Sequence, residues 1–160
     1  MALIIGITLT FVVVSFDRDV DDEVQVEAQR LGALITLAAQ ESVLHSNEHA
    51  LEFGFDRYKF LVLNEGQWQA PEEDGMLRER ELPKGISMEL YLEGHEFSFE
   101  EMSTAVESED EPAAQATGPR VYLLSSGEVT PFEVELRHHD GEARFMVKVG
   151  ITGKVEIERE

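Results

Sequence analysis

The sequence predicts an α+β fold: one long N-terminal helix, apolar over its first third, packed on an antiparallel β-sheet domain. Three observations predict it. Ala2 to Phe16 reads ALIIGITLTFVVVSF without a charged residue. From Val20 to Ala38 apolar residues recur at steps of three and four, the spacing of one helix face. From Ala50 onward the spacing changes to two, the period of strands.

The helix comes first. Between Phe16 and Ser46 there is no proline, and Gly32 is the one glycine. Val20, Val24, Ala28, Leu31, Leu34, Ile35 and Ala38 form an apolar stripe, and Asp17, Arg18, Asp21, Asp22, Glu23, Glu27 and Arg30 take much of the remainder. One helix is therefore expected from about Ala2 to about His45, amphipathic over 17–46. The apolar run would rise roughly 23 Å as a helix. A bilayer core needs about 30 Å, or about 20 residues. The run is apolar on all sides and lacks the basic start and cleavage site of a signal peptide. Residues 1–16 are read as the later half of a membrane-spanning helix and 17–160 as the domain beyond the bilayer, with the surface at Asp17. A buried core helix is the competing reading.

The strands occupy 50–160. Leu51, Phe53 and Phe55 alternate with Glu52, Gly54 and Asp56, and Tyr58 to Leu63 forms a second run that ends at Asn64-Glu65-Gly66. Trp68 is expected to cap an edge of the core. Pro71 to Gly75 reads as an acidic turn, Leu82-Pro83-Lys84-Gly85 as a break, and Ile86 to Leu92 as a strand. The stretch 93–119 is rich in Glu and Asp, has no Lys or Arg before Arg120, and reads as a solvated acidic loop. Arg120 to Leu124 resumes a strand that Ser125-Ser126-Gly127 turns. Phe132, Val134 and Leu136 alternate with charged residues, Asp140-Gly141 signals a tight hairpin, and Phe145, Val147, Val149 and Ile151 follow. Val155 and Ile157 close the pattern.

Composition narrows the function classes. The chain has 160 residues, enough for one domain with a core. Its 13 Lys and Arg against 33 Asp and Glu give a formal net charge of -20. Such a surface repels phosphate backbones, so nucleic acid is not an expected partner. No cysteine is present, which excludes disulfides and thiolate metal sites.

Several motifs invite chemical readings. His45-Ser46-Asn47-Glu48-His49 matches H-x-x-E-H, which on a helix could hold zinc through both histidines with Glu48 as general base. Ser46 and Asn47 are helix-end residues, however, so the motif is read as a polar helix exit whose histidines meet free carbonyls. Ser125 and Ser126, with His138 and His139 downstream, lack the nucleophile elbow of a serine hydrolase and read as turn residues. Glu100, Glu101, Glu107, Glu109, Asp110 and Glu111 could attract calcium, but no D-x-D-x-D-G loop organises them. No phosphate-binding glycine loop occurs. The expectation is a protein that is not an enzyme and has no cofactor, metal site or catalytic residue.

A helix that is apolar and then amphipathic, followed by antiparallel strands, resembles the type IV pilin fold. More narrowly, the chain resembles the H-type minor pseudopilins of bacterial type II secretion. Leu3-Ile4-Ile5-Gly6-Ile7 is similar to the middle of the pilin membrane helix. Glu27-Ala28-Gln29-Arg30-Leu31 and Ala38-Ala39-Gln40-Glu41 are similar to the family's soluble helix. Tyr58-Lys59-Phe60-Leu61-Val62-Leu63, Trp68, and Arg80-Glu81-Leu82-Pro83-Lys84-Gly85-Ile86 fit its central part. Leu124-Ser125-Ser126-Gly127-Glu128-Val129-Thr130-Pro131-Phe132 resembles its strand–turn–strand. The likeness covers nearly the whole chain and rests on the order of these pieces. One departure stands out: the family's processing motif, a glycine followed by F-T-L-x-E, is absent.

The resemblance implies a subunit held in the bacterial inner membrane by a single pass, with its β-domain in the periplasm. It would assemble into the secretion pseudopilus or its tip and so help export folded proteins across the outer membrane. Leu3, Ile4, Ile5, Ile7, Leu9, Phe11, Val12, Val13, Val14 and Phe16 would pack in lipid and then in the fibre core. Implied partners are other minor and major pseudopilins and the inner-membrane assembly platform. Prepilin peptidase, and methylation of the processed end, are implied if a full-length N-terminus exists. The alternatives are a DNA-binding or other minor pilin of a type IV pilus, and an unrelated membrane-anchored periplasmic domain.

Overall fold

A single helix, α1 (Ala2–His45), leads the chain and never breaks. The computed structural model describes residues 2–71, 75–97 and 118–160, with the helix backbone alone over 2–19. The stripe expected from the sequence faces inward. Val24, Ala28, Leu31, Leu34, Ile35 and Ala38 are buried and Val20 is half-buried. The helix stops where Ser46 turns to a positive φ of 55° and the Asn47 N–H returns to the Ser42 carbonyl at 3.2 Å. That left-handed step satisfies a carbonyl which helical geometry would strand.

Ten strands follow among the described residues: β1 (His49–Phe53), β2 (Arg57–Asn64), β3 (Gln67–Gln69), β4 (Arg80–Glu81), β5 (Ile86–Leu92), β6 (His95–Phe97), β7 (Arg120–Leu123), β8 (Phe132–His138), β9 (Arg144–Val149) and β10 (Val155–Arg159). They form two antiparallel sheets. The first runs β3-β2-β1-β7 with β4 beside β2, and the second runs β10-β9-β8-β5-β6. α1 packs against β1 and β7 of the first sheet and against β8, β9 and β10 of the second. The inner faces of both sheets close one core around Leu31, Ile35, Leu51, Phe53, Phe60, Leu90, Val134 and Val147. Phe53 and Phe132 meet edge to face at 5.6 Å and join the sheets.

Gly32 sets how closely the helix seats. A Cβ there would lie 3.1 Å from Ile157 Cδ1 and 3.2 Å from Val155 Cγ1, so the glycine lets α1 approach edge strand β10. Asp21 pins the same region: its Oδ1 accepts from the Ala143 N–H at 3.1 Å and its Oδ2 from Arg159 at 3.3 Å.

Six expectations need correction. Glu27, placed on the polar side of α1, is only 1 % exposed; it accepts from the Tyr58 hydroxyl at 2.9 Å and from Arg30 at 2.5 Å. The alternation of Leu51 and Phe53 with Glu52 does not separate inside from outside, because all five residues of β1 are buried. β1 is a central strand, flanked by β2 and β7, and Glu52 is neutralised by its register neighbours Lys59 at 2.8 Å and Arg120 at 2.5 Å. Phe55 lies beyond the strand and is exposed. Trp68 is paired with Leu63, on the sheet face opposite Phe60, and packs on Tyr122 at 5.7 Å; it does not cap the core. The span 93–119 opens with ordered structure, since Glu93-Gly94 turns β5 into β6, both residues at positive φ. The rest of that loop, with Glu100, Glu101, Glu107, Glu109, Asp110 and Glu111, lies outside the described residues. The Asp140-Gly141 connection is a five-residue loop between His138 and Arg144, held by Asp21, and is wider than a two-residue hairpin. Finally, His138, read as a polar residue at a hairpin turn, is the last residue of β8 and only 8 % exposed, because its ring fills the space left by the missing side chain of Gly85.

Candidate functional site

Tertiary folding disperses the histidine motif. His45 ends α1 and pairs with Glu41 at 2.9 Å. His49 begins β1 and is buried, with Nδ1 2.9 Å from Ser42 Oγ. The Ser42 hydroxyl donates to the Ala38 carbonyl at 2.8 Å, so His49 Nδ1–H donates to Ser42. Glu48 turns away and accepts from the Ser125 N–H at 3.0 Å and hydroxyl at 2.7 Å. The three side chains each have a structural partner and do not converge on an ion. Burial lowers the His49 pKa, and the nearby Glu41 and Glu48 oppose that shift only in part.

The serine turn is likewise structural. Ser125 docks on Glu48, Gly127 takes a positive φ, and its N–H donates to the Leu124 carbonyl at 2.9 Å. His138, the last residue of β8, and His139, the first of the loop that follows, stack on each other. With Asp140 they are the one group of metal-ligating side chains that converge among the described residues.

The side of α1 that faces away from the core has a composition unlike the rest of the surface. Val26, Gln29, Ala33, Thr36, Gln40, Val43 and Leu44 recur at three and four residues and are all exposed. Val26 is 52 %, Val43 50 % and Leu44 75 % exposed. From Val26 to Leu44 this stripe contains no charged residue, in a chain of net charge -20. Arg30 lies beside it, close to Glu27. At its C-terminal end the stripe borders a groove of about 540 Å³, lined by Thr36, Ala39, Gln40, Val43, Leu44, Gly127, Thr152 and Gly153. No charged side chain lines that groove, so it offers apolar area and a few hydroxyl and amide groups. The sequence reading missed this second stripe because its members are small or mildly polar and do not register as an apolar run.

The residues expected to pack in lipid or in a fibre core, Leu3 to Phe16, sit on the backbone of α1 and their side chains lie outside the described set. No helix is long and apolar enough to cross a membrane among the described residues.

Comparison with known proteins agrees with this architecture. No family model matches the chain. It is 26% identical over 148 residues to type II secretion system protein H of Vibrio cholerae, covering 84% of this chain and 75% of that protein. It is 28% identical over 126 residues to type II secretion system protein H of Pseudomonas aeruginosa, covering 78% of this chain and 69% of that protein. The crystal structure of the minor pseudopilin EpsH from the Vibrio cholerae type II secretion system superposes with a TM-score of 0.68 at 27% identity, covering 87% of this chain and 97% of that one. The long helix laid across two antiparallel sheets therefore defines a pilin-like α+β protein. Within that class, the chain is similar to the H-type minor pseudopilins of the type II secretion system.

Proposed function

We propose that the chain acts as a minor subunit of the type II secretion pseudopilus, and that the uncharged outer stripe of α1 is the face it presents to a neighbouring pseudopilin. The carrying observation is the two-faced helix. One face is buried against the chain's own sheets, and the opposite face is exposed, uncharged and bordered by a groove. A solvated face of an acidic protein ordinarily carries its share of charge. Association favours surfaces free of charges that would have to be desolvated.

On this reading Leu3 to Phe16 continue the same helix as the membrane and fibre-core segment, and the β-domain lies in the periplasm. Other minor and major pseudopilins are the partners. The assembly platform engages the subunit through the helix start, and prepilin peptidase acts there if a full-length N-terminus exists. The protein performs no catalysis, and its contribution to export is mechanical.

The test is complementation. A host lacking this gene would carry either the natural chain or the double variant Val43→Glu, Leu44→Glu. Both positions are exposed, so the purified variant should melt like the natural chain. Export of folded protein into the medium is expected to fall at least tenfold with the variant. Full export by a stably expressed variant would overturn the assignment of this face.

A further inference from the structure

The β8–β9 loop brings together side chains whose role in a fibre is not obvious. His138 closes β8, and His139 and Asp140 follow it. One ligand atom from each lies within 4.8 Å of the others. Successive residues of a strand point to opposite faces, yet these two imidazoles stack 4.6 Å apart at 22°. The chain turns immediately after His138 and swings His139 to the same side.

The hydrogen bonds define which atoms are available. His139 Nδ1 lies 3.1 Å from the Gly85 carbonyl, an acceptor, so Nδ1 carries the proton. Nε2 lies 3.0 Å from Asp140 Oδ2, the distance at which a proton on Nε2 is donated to the carboxylate, and a metal ion would take the place of that proton. Two donor atoms at that separation can both reach one ion at about 2.0–2.2 Å each. A backbone carbonyl on the far nitrogen is the usual outer partner of a ligating histidine. His138 is held against Gly85, and its Nδ1 accepts the Asp140 N–H at 3.1 Å. An ion would take that lone pair and release the N–H to water at an exposed loop.

The surroundings favour cation entry. A cleft of about 380 Å³, lined in part by Ser87, Arg137, Glu142 and Arg144, opens onto the loop. The two arginines are engaged elsewhere, Arg137 with Glu89 at 2.8 Å and Arg144 with Glu135 at 3.7 Å. The chain's charge of -20 raises the local concentration of cations.

We propose that His138, His139 and Asp140 form a surface site for a divalent transition-metal ion of the zinc class, with water completing the coordination. Two imidazoles and one carboxylate suit zinc, copper or nickel; calcium and magnesium prefer all-oxygen sets. The bound ion ties the β8–β9 loop to the Gly85 turn before β5. The site does not depend on the pseudopilus reading.

The test titrates the full chain, freed of metal by chelation and held in detergent, with zinc chloride by calorimetry and thermal melting. One zinc per chain and a rise in melting temperature are expected, with calcium chloride producing neither. His139→Ala and Asp140→Asn, both at exposed side chains, should each weaken zinc binding at least tenfold while His45→Ala leaves it unchanged. Absence of saturable zinc binding would overturn the proposal. So would binding that survives both loop variants, or binding lost in His45→Ala.

Discussion

At the scale of single residues, the buried polar groups show how the helix is joined to its sheets. Glu27 is a carboxylate within the core boundary, and it persists because Tyr58 and Arg30 each donate to it. Burial and the Glu27 charge both push the Tyr58 hydroxyl pKa up, so it remains a donor at every ordinary pH. His49 is a histidine whose proton affinity is changed by folding. Burial holds its pKa below the ordinary value of 6.5, against the Asn47 backbone, Glu41 and Glu48, and with a small contribution from His45. The unfolded chain therefore binds the proton at higher pH than the folded chain does. Stability rises with pH wherever the unfolded state carries more protons. The His49 contribution is thus fully present above 6.5 and is lost as pH falls toward the folded value. His49→Asn keeps an amide donor for Ser42 without a titrating group. Thermal melts at about pH 7.5 and about pH 5.5 should show a smaller drop for this variant than for the natural chain. Equal drops would remove His49 from the acid response.

At the scale of elements, the seating of α1 on β10 depends on one missing side chain. Gly32 lies under Val155 and Ile157, and a β-branched replacement would push both away. Gly32→Val is expected to cost about 1–3 kcal/mol, the usual penalty for overpacking. Gly32→Ala meets only the ends of two side chains on an edge strand and regains about 1 kcal/mol of helix propensity, so it should be close to neutral. Urea unfolding of the two variants separates these outcomes; similar losses for both would mean that backbone approach, and not the γ-methyl groups, sets the limit. The same element logic explains β1. Its register places Glu52 between Lys59 and Arg120, so a central strand carries an acid without leaving a charge unpaired.

At the scale of the whole molecule, charge is the dominant property. Acids outnumber bases by 33 to 13, so repulsion among surface carboxylates is expected to outweigh the attraction of the ion pairs. Screening acts over about 8 Å at physiological ionic strength. Raising sodium chloride from low to physiological concentration should therefore increase the melting temperature. A decrease would show that the surface ion pairs, such as Lys148 with Glu158 and Lys154 with Glu156, outweigh the general repulsion. The same surplus of acid opposes binding to the phosphate backbone of DNA.

The sequence by itself determined the long helix, its inward stripe, the strand-rich remainder and the family likeness. Each of those rests on local periodicity or on the order of segments, and both survive in a linear reading. Tertiary structure decided what depends on register and on partners distant in the chain. Glu27 became buried because Tyr58 reaches it, and His138 because Gly85 leaves room for its ring. Glu52 followed the inside because Lys59 and Arg120 flank it, and the H-x-x-E-H histidines separated because the helix ends between them. The outer stripe from Val26 to Leu44 became visible only once the opposite face of α1 was covered. A helix face is exposed or buried by what packs on its other side, and that is a property of the fold and not of the residues that compose it.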